Sequence, residues 1–262
     1  MSRIEGQRRE GFTAVITGTG GSGIDLKIVA TEKVRTRWGE VNVRRCDTAK
    51  GEFFWLARHG KTHNIAPHLI NYQANVAALA MLGVERIIAT NACGGLSDGL
   101  DPGDCVVVDQ FIDFTRHRPL TFFDSPGEPV VHTDFSEPYC PALRATLVGA
   151  CEAQGLVCRP TGTYVCCDGP RYETAAEVRM FRMLGGDVIG MTAIPELVLA
   201  REIGICYAGI AVVTNVGAGL AEGTLTHEEV EKVMRSRSAE VRKVLIAAAT
   251  SPYTPCTVCG RG

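Results

Sequence analysis

The 262-residue sequence predicts an α/β fold: one domain with a twisted, mixed but mainly parallel β-sheet flanked by helices. Three observations carry that expectation. Short apolar, β-branched runs alternate with segments of helical composition. No linker, internal repeat or low-complexity stretch divides the chain. Several of the apolar runs end in small or polar residues, the pattern of strands whose carboxyl ends meet at one site.

In chain order, the strand-like runs are "FTAVITG" from Phe12, "GEFFWLARHG" from Gly51, "ERIIATNACGG" from Glu85 and "DCVVVDQFI" from Asp104. "GTYVCCDG" from Gly162, "DVIGMT" from Asp187 and "YAGIAVVTNVG" from Tyr207 follow. Helical patterns lie between them at Asn71–Leu82, Ala142–Gln154, Thr174–Leu184, Glu196–Glu202 and Thr226–Ala249. The last opens on a capping box, with Thr226 as N-cap and Glu229 three residues later. Thr115–Tyr139, rich in Pro, His and Asp, is an irregular excursion of the kind that serves a site or an interface. Residues 1–11 read as an N-terminal extension and residues 250–262 as a flexible tail.

Composition excludes several classes. A net charge of −2 offers no basic surface for nucleic acid or membrane. The charged start "MSRIEGQRREG" has no apolar core behind it, and no run is long enough for a membrane span; a cytoplasmic protein is expected. The eleven cysteines mostly sit singly in apolar runs, as Cys105, Cys151 and Cys206 do, and read as small buried hydrophobes. Cys256 and Cys259 form one CxxC. With no second CxxC a zinc site is not expected. Two thiols on a flexible tail is the preferred reading and a redox disulfide the alternative.

Five strand ends supply candidate site residues. "TGTGGSG", Thr17–Gly23, is a Gly-rich turn whose backbone N–H groups and Thr19 hydroxyl suit an anion, with a plain tight turn as the competing reading. Arg58 suits a bidentate phosphate clamp, and His59 adds a donor; nearby His63 reads as surface. Asn91 and the backbone at Ala92 can hold an anion or a sugar. Thr192 offers a hydroxyl and Met191 an apolar floor. Tyr172 can stack on a flat ring. Glu173 reads either as a ligand carboxylate or as a helix-capping acid. Asn215 stands at the end of a strand before the flexible "VGAG", Val216–Gly219.

The segments "TGTG", "LARHGKTH", "NYQANVAAL", "TNACGG", "PGDCVVVDQFID", "GPRYETAAEVRMFRMLGGDVIGMTAIPE" and "ICYAGIAVVTN" together resemble the trimeric purine nucleoside phosphorylase superfamily, nearest its 5′-methylthioadenosine phosphorylases. The resemblance spans about Phe12 to Leu245. It implies phosphorolysis of a nucleoside to free purine and sugar 1-phosphate, with inorganic phosphate as co-substrate and no metal or organic cofactor. It also implies a homotrimer, with pairing into hexamers left open, and sites at subunit interfaces. It assigns Thr19, Arg58, His59, Asn91, Ala92 and Thr192 to phosphate, although the methylthioadenosine enzymes carry Thr at the place of Asn91. Met191 falls beneath the ribose, Tyr172 near the base, and His132 of one copy near the sugar 5′ end in a neighbour's site.

The same resemblance sharpens the base pocket. Enzymes for 6-aminopurines carry Asp at the position of Asn215 and again at Gly217. An amide can donate to a 6-oxo group while accepting from N7–H, whereas an ionised Asp would repel it. Glu173 can accept the N1–H of a 6-oxopurine; adenine has no such proton, and the methylthioadenosine enzymes carry Ser there. His227, in "HEEV", suits a 5′-hydroxyl where those enzymes place an apolar residue. The expected activity is therefore phosphorolysis of inosine or guanosine, with Asn215, Glu173 and His59 as the acting groups, Val216 and Gly217 beside the base, and Glu173 and His227 setting specificity. S-Methyl-5′-thioinosine and 5′-methylthioadenosine phosphorolysis are the alternatives within the family. A non-catalytic nucleotide-binding protein and a CxxC redox protein are the alternatives outside it.

Overall fold

The computed structural model describes residues 11–19, 26–60, 62, 64–220, 225–252, 256, 258 and 259. Eleven strands among them form a single sheet. They are β1 (Phe12–Thr17), β2 (Lys27–Thr36), β3 (Gly39–Thr48), β4 (Gly51–Ala57), β5 (Val84–Gly95), β6 (Cys105–Val107), β7 (Gln110–Asp113), β8 (Cys158–Arg159), β9 (Thr163–Cys166), β10 (Val188–Gly190) and β11 (Cys206–Val216). The helices are α1 (Tyr72–Met81), α2 (Pro141–Ala153), α3 (Ala175–Met183), α4 (Ala193–Glu202) and α5 (His227–Ala249).

The central strands β1, β4, β5 and β11 run parallel. Their residues alternate between two cores. Ala14 and Ile16 of β1 face the first, with α1 and α4, while Val15 faces the second, with α2 and α5. A parallel strand covered on both faces needs apolar residues at nearly every position, which is why these runs stood out in the sequence. A third, smaller cluster under α3 joins Val178 and Phe181 to Leu96, Val165 and Ile189.

Helix ends follow local chemistry. Asn71 caps α1 by accepting from the Ala74 N–H at 3.0 Å. Thr226 and Glu229 form the expected capping box on α5. Thr174 and Glu177 form another on α3, so the capping acid of that helix is Glu177 and not Glu173.

Three features depart from the sequence expectation. The β2–β3 hairpin is largely exposed, with only Val34, Val41, Val43 and Cys46 buried, so it offers no continuous apolar run. "DCVVVDQFI" is two strands: β6 pairs with β11 and β8, while β7 pairs with β9. The chain crosses over at Asp109, whose carboxylate accepts from the Gly162 N–H at 2.8 Å. The two-residue strand β8 carries no readable signal.

The topology opens a site at one place. β1 accompanies β5 only as far as Ala89, and β10 joins the same edge at Gly94. Residues 90–93 of β5 therefore lack a strand on that side, a change of neighbour that opens a crevice at strand ends.

Candidate active site

A cavity of about 460 Å³ lies in that crevice, within the size range of small-molecule sites. It is lined by the ends of β1, β4, β5 and β11, by the loop after β10, and by the start of α5. Thr19, Arg58, His59, Asn91, Ala92 and Thr192 gather at one end. Tyr172, Glu173, Met191, Asn215, Gly217 and His227 line the remainder.

The first end is tightly wired. Arg58 is not the open phosphate fork that the sequence suggests. Its Nε and Nη2 donate to the two oxygens of Glu196, each at 2.8 Å, and Nη1 donates to the Thr90 carbonyl at 2.9 Å. Both side chains are fully buried. The Tyr207 hydroxyl adds a bond to Glu196 Oε1 at 2.7 Å. Burial alone would push the Arg58 guanidinium down, but the Glu196 carboxylate outweighs it and holds the group above its ordinary range. Arg58 thus reaches the cavity as a guanidinium edge held in place from behind.

Neighbouring groups are held as firmly. A carbonyl can only accept, so the 2.7 Å contact between His59 Nδ1 and the Ile65 oxygen puts the ring hydrogen on Nδ1. A Cβ at Gly18 would stand 3.0 Å from Arg58 Nη1 and 3.7 Å from His59 Nε2, so glycine there leaves both groups uncrowded. Asn91 Nδ2 donates to Thr192 Oγ1 at 2.8 Å, and both residues are buried. The Thr192 hydroxyl accepts in that bond, which leaves its own hydrogen to give.

The second end is looser. Glu173 makes no hydrogen bond to another side chain among the described residues. Burial raises its pKa, with Glu177 reinforcing and Arg171 opposing. Asn215 is oriented by its surroundings: Nδ2 donates to the Val216 carbonyl at 3.0 Å, and Oδ1 faces the Thr214 hydroxyl at 3.0 Å. Thr214 is the extra residue of a β-bulge, since Val213 pairs with Cys93 and Asn215 with Gly94. Bulges re-aim side chains near sites, and this one turns the strand end at Asn215. Gly217 has no room for a side chain: a Cβ would lie 3.0 Å from Val178 and 3.2 Å from the Gly95 carbonyl. Met191 packs its sulfur against Gly169, which adopts a positive φ of 65°.

Two expected residues stand apart. Val216 does not line the cavity; its carbonyl instead receives the Asn215 amide. His132 is exposed and lies outside the cavity of its own chain. His227 sits at the rim, its side chain 59% exposed and 3.6 Å from Glu231. Leu225 and Val230 line the same rim. Gly20–Gly23 and His63 lie outside the described residues.

Sequence reasoning missed three contributors. In the sequence Glu196 only opens a helical pattern. Its only signal was an acid inside a strongly apolar context, "AIPELVLA". Thr214 is invisible without the bulge. Arg118, in the irregular excursion, donates to the carbonyls of Met191, Ile194 and Asp168 at 2.5–2.8 Å. It thereby ties together the loops that carry Met191 and lead towards Tyr172.

Fold and site define an α/β protein with a cavity at strand ends, in which Arg58, Asn91 and Thr192 are fixed by hydrogen bonds and Glu173 and Asn215 share the lining. The family model of the phosphorylase superfamily matches residues 13–250. The chain is 49% identical over 240 residues to the 6-oxopurine nucleoside phosphorylase of Pyrococcus furiosus, covering 90% of this chain and 91% of that one. It is 48% identical over 198 residues to a Methanopyrus kandleri protein described as "Probable S-methyl-5'-thioinosine phosphorylase", covering 75% and 76%. Among solved structures, the methylthioadenosine phosphorylase of Schistosoma mansoni in complex with adenine superposes with a TM-score of 0.88 at 33% identity, covering 92% of this chain and 91% of that one. The chain belongs to the phosphorylase superfamily.

Proposed function

We propose that this chain is a purine nucleoside phosphorylase for 6-oxopurine nucleosides. It converts inosine or guanosine and phosphate to free base and ribose 1-phosphate. The carrying observation is the pairing, in one cavity, of an under-partnered carboxylate, Glu173, with an oriented amide, Asn215. The relative named for 6-oxopurines supports the same reading.

Phosphate occupies the end formed by Thr19, Arg58, His59, Asn91, Ala92 and Thr192. Arg58, neutralised from behind by Glu196, supplies a fixed guanidinium edge, and Thr192 supplies its hydroxyl hydrogen. Phosphate oxygen bonds to C1′ as the C1′–N9 bond breaks, and the electron pair leaves with the purine. Asn215 holds the N7/O6 edge as negative charge gathers there. Glu173 accepts N1–H. Met191 underlies the ribose and Tyr172 borders the base. The reaction draws on positioning and electrostatics and forms no covalent enzyme intermediate.

The working unit is proposed as a cytoplasmic homotrimer, His132 of one copy reaching the cavity of the next. Light scattering on the purified chain tests the assembly, a trimer or a pair of trimers agreeing and a monomer contradicting it.

One observation favours a second reading at the sugar end. His227 is mostly exposed and shares the rim with Leu225 and Val230, an apolar pair that would suit a thiomethyl group. Phosphate-dependent hypoxanthine release from inosine and from S-methyl-5′-thioinosine, compared at equal concentration, separates the two. Faster inosine turnover supports the proposal. Faster methylthioinosine turnover assigns the rim to the apolar ligand. No phosphate-dependent release from either overturns both.

A further inference from the structure

The CxxC of Cys256 and Cys259 takes no part in the cavity, yet it is not a loose tail. Cys259 is buried and Cys256 half-buried. They pack against Cys140, the residue that caps α2, and Cys206, the first residue of β11. The four sulfurs all lie within 4.8 Å of one another. We propose that Cys140, Cys206, Cys256 and Cys259 bind one zinc ion as four thiolates, a structural site that staples the C-terminal segment to the start of β11 and α2.

The ligand set is that of closed structural zinc sites: four cysteines, two of them in CxxC spacing. The sequence offered only one CxxC because the other pair is assembled by the fold, from positions 66 residues apart in the chain (206 − 140). Distances fit a single ion. Sulfurs ~2.3 Å from zinc in a tetrahedron lie about 3.8 Å apart; Cys256 and Cys259 already stand at 3.6 Å, and the remaining sulfurs need move little. They lie too close together to enclose a cluster of several irons.

The surroundings suit the charge. Four thiolates around Zn²⁺ carry a net charge of −2, which needs compensation when buried. Arg86, itself buried, lines a small cavity with Cys140 and Cys206. It also donates to the carbonyl of Ser251 at 3.2 Å. Arg201, also buried, donates to the carbonyl of Val258, between the two CxxC cysteines, at 3.3 Å. The Leu143 N–H at the start of α2 points at Cys140 Sγ at 3.5 Å, the kind of backbone donor that tunes a metal-bound thiolate. Loading balances as Zn²⁺ plus four thiols giving the tetrathiolate complex and four protons.

The test uses the full chain, purified with reductant and reconstituted with zinc. Elemental analysis should find about one zinc per chain, released by p-hydroxymercuribenzoate, and cobalt substitution should give the intense visible bands of tetrahedral thiolate coordination. Cys256→Ser/Cys259→Ser should lose the metal and melt lower than the zinc-loaded protein, while inosine phosphorolysis stays within about twofold, the cluster lying away from the cavity. Cys259→His should regain the metal. Failure of the reduced wild-type chain to take up zinc or cobalt would overturn the proposal. So would mass spectrometry of protein purified without reductant that finds Cys140–Cys206 and Cys256–Cys259 disulfides together with cobalt uptake unaffected by the double substitution.

Discussion

The two ends of the cavity are built on opposite terms. At the proposed phosphate end, Arg58 is fixed to Glu196 and Thr90, Asn91 to Thr192, and His59 to Ile65. At the proposed base end, Glu173 has no side-chain partner among the described residues, and burial raises its pKa. The difference teaches a division of labour. On the proposed function the anion is the same in every turnover, so its site can be fixed in advance by the protein's own bonds. The base must be told from its near relatives, so its site keeps a donor and an acceptor in reserve, at some expense in stability.

The sharpest way to break this comparison is at the rigid end. Arg58→Ala leaves Glu196 buried without a counter-ion, which costs about 3–5 kcal/mol. A thermal melt should show the largest fall of any cavity substitution, with Arg58→Met/Glu196→Met losing less than Arg58→Ala alone. Equal melting of the two variants would mean that the pair is not an obligate unit. At the open end the expected pattern is reversed. Asn215→Ala should lower kcat for inosine about 100-fold or more, as loss of a transition-state hydrogen bond does, while Tm moves little. Parallel loss of Tm and kcat would make Asn215 structural.

Glu173 tests the reserve directly. Glu173→Gln should lower kcat/KM for inosine by roughly 10- to 100-fold, the cost of an unmatched buried polar group. The pH dependence has a definite sign. Because burial raises the Glu173 pKa, the carboxylate that accepts N1–H is lost as pH falls through that raised value. The acid limb of kcat/KM should therefore sit above the ordinary carboxylate range and disappear in Glu173→Gln. The same shift means that the fold favours the neutral acid. Its stabilising contribution is present below the unfolded pKa and is lost as pH rises through the folded one. Ligand-free Glu173→Gln should thus melt at or above the wild type at neutral pH. The smallest effect is expected at His227, whose exposed pairing with Glu231 is worth little. His227→Leu should raise KM for inosine only a few-fold and favour methylthioinosine.

Legibility in the sequence followed burial pattern. The central strands were readable because two covered faces force continuous apolar runs, α1 because it is rich in Ala and Leu, and α5 because it opens on a capping box. The β2–β3 hairpin was not, because one-sided burial of Val34, Val41, Val43 and Cys46 leaves no such run. The residues around the cavity were readable from strand ends, but their connections were not. That Arg58 faces Glu196, 138 positions away, that Thr214 bulges beside Asn215, and that Cys140 and Cys206 meet the CxxC are products of sheet order. A one-dimensional reading therefore named residues that share one cavity and misjudged how Arg58 is held.

The most direct measurement is kcat/KM for inosine against adenosine with the wild-type chain in phosphate. With Glu173 and Asn215 reading N1–H and O6, inosine should be preferred by about 100-fold or more, as when a site built for hydrogen bonds rejects a mismatched analogue. Equal or better turnover of adenosine would contradict the assignment of the base end.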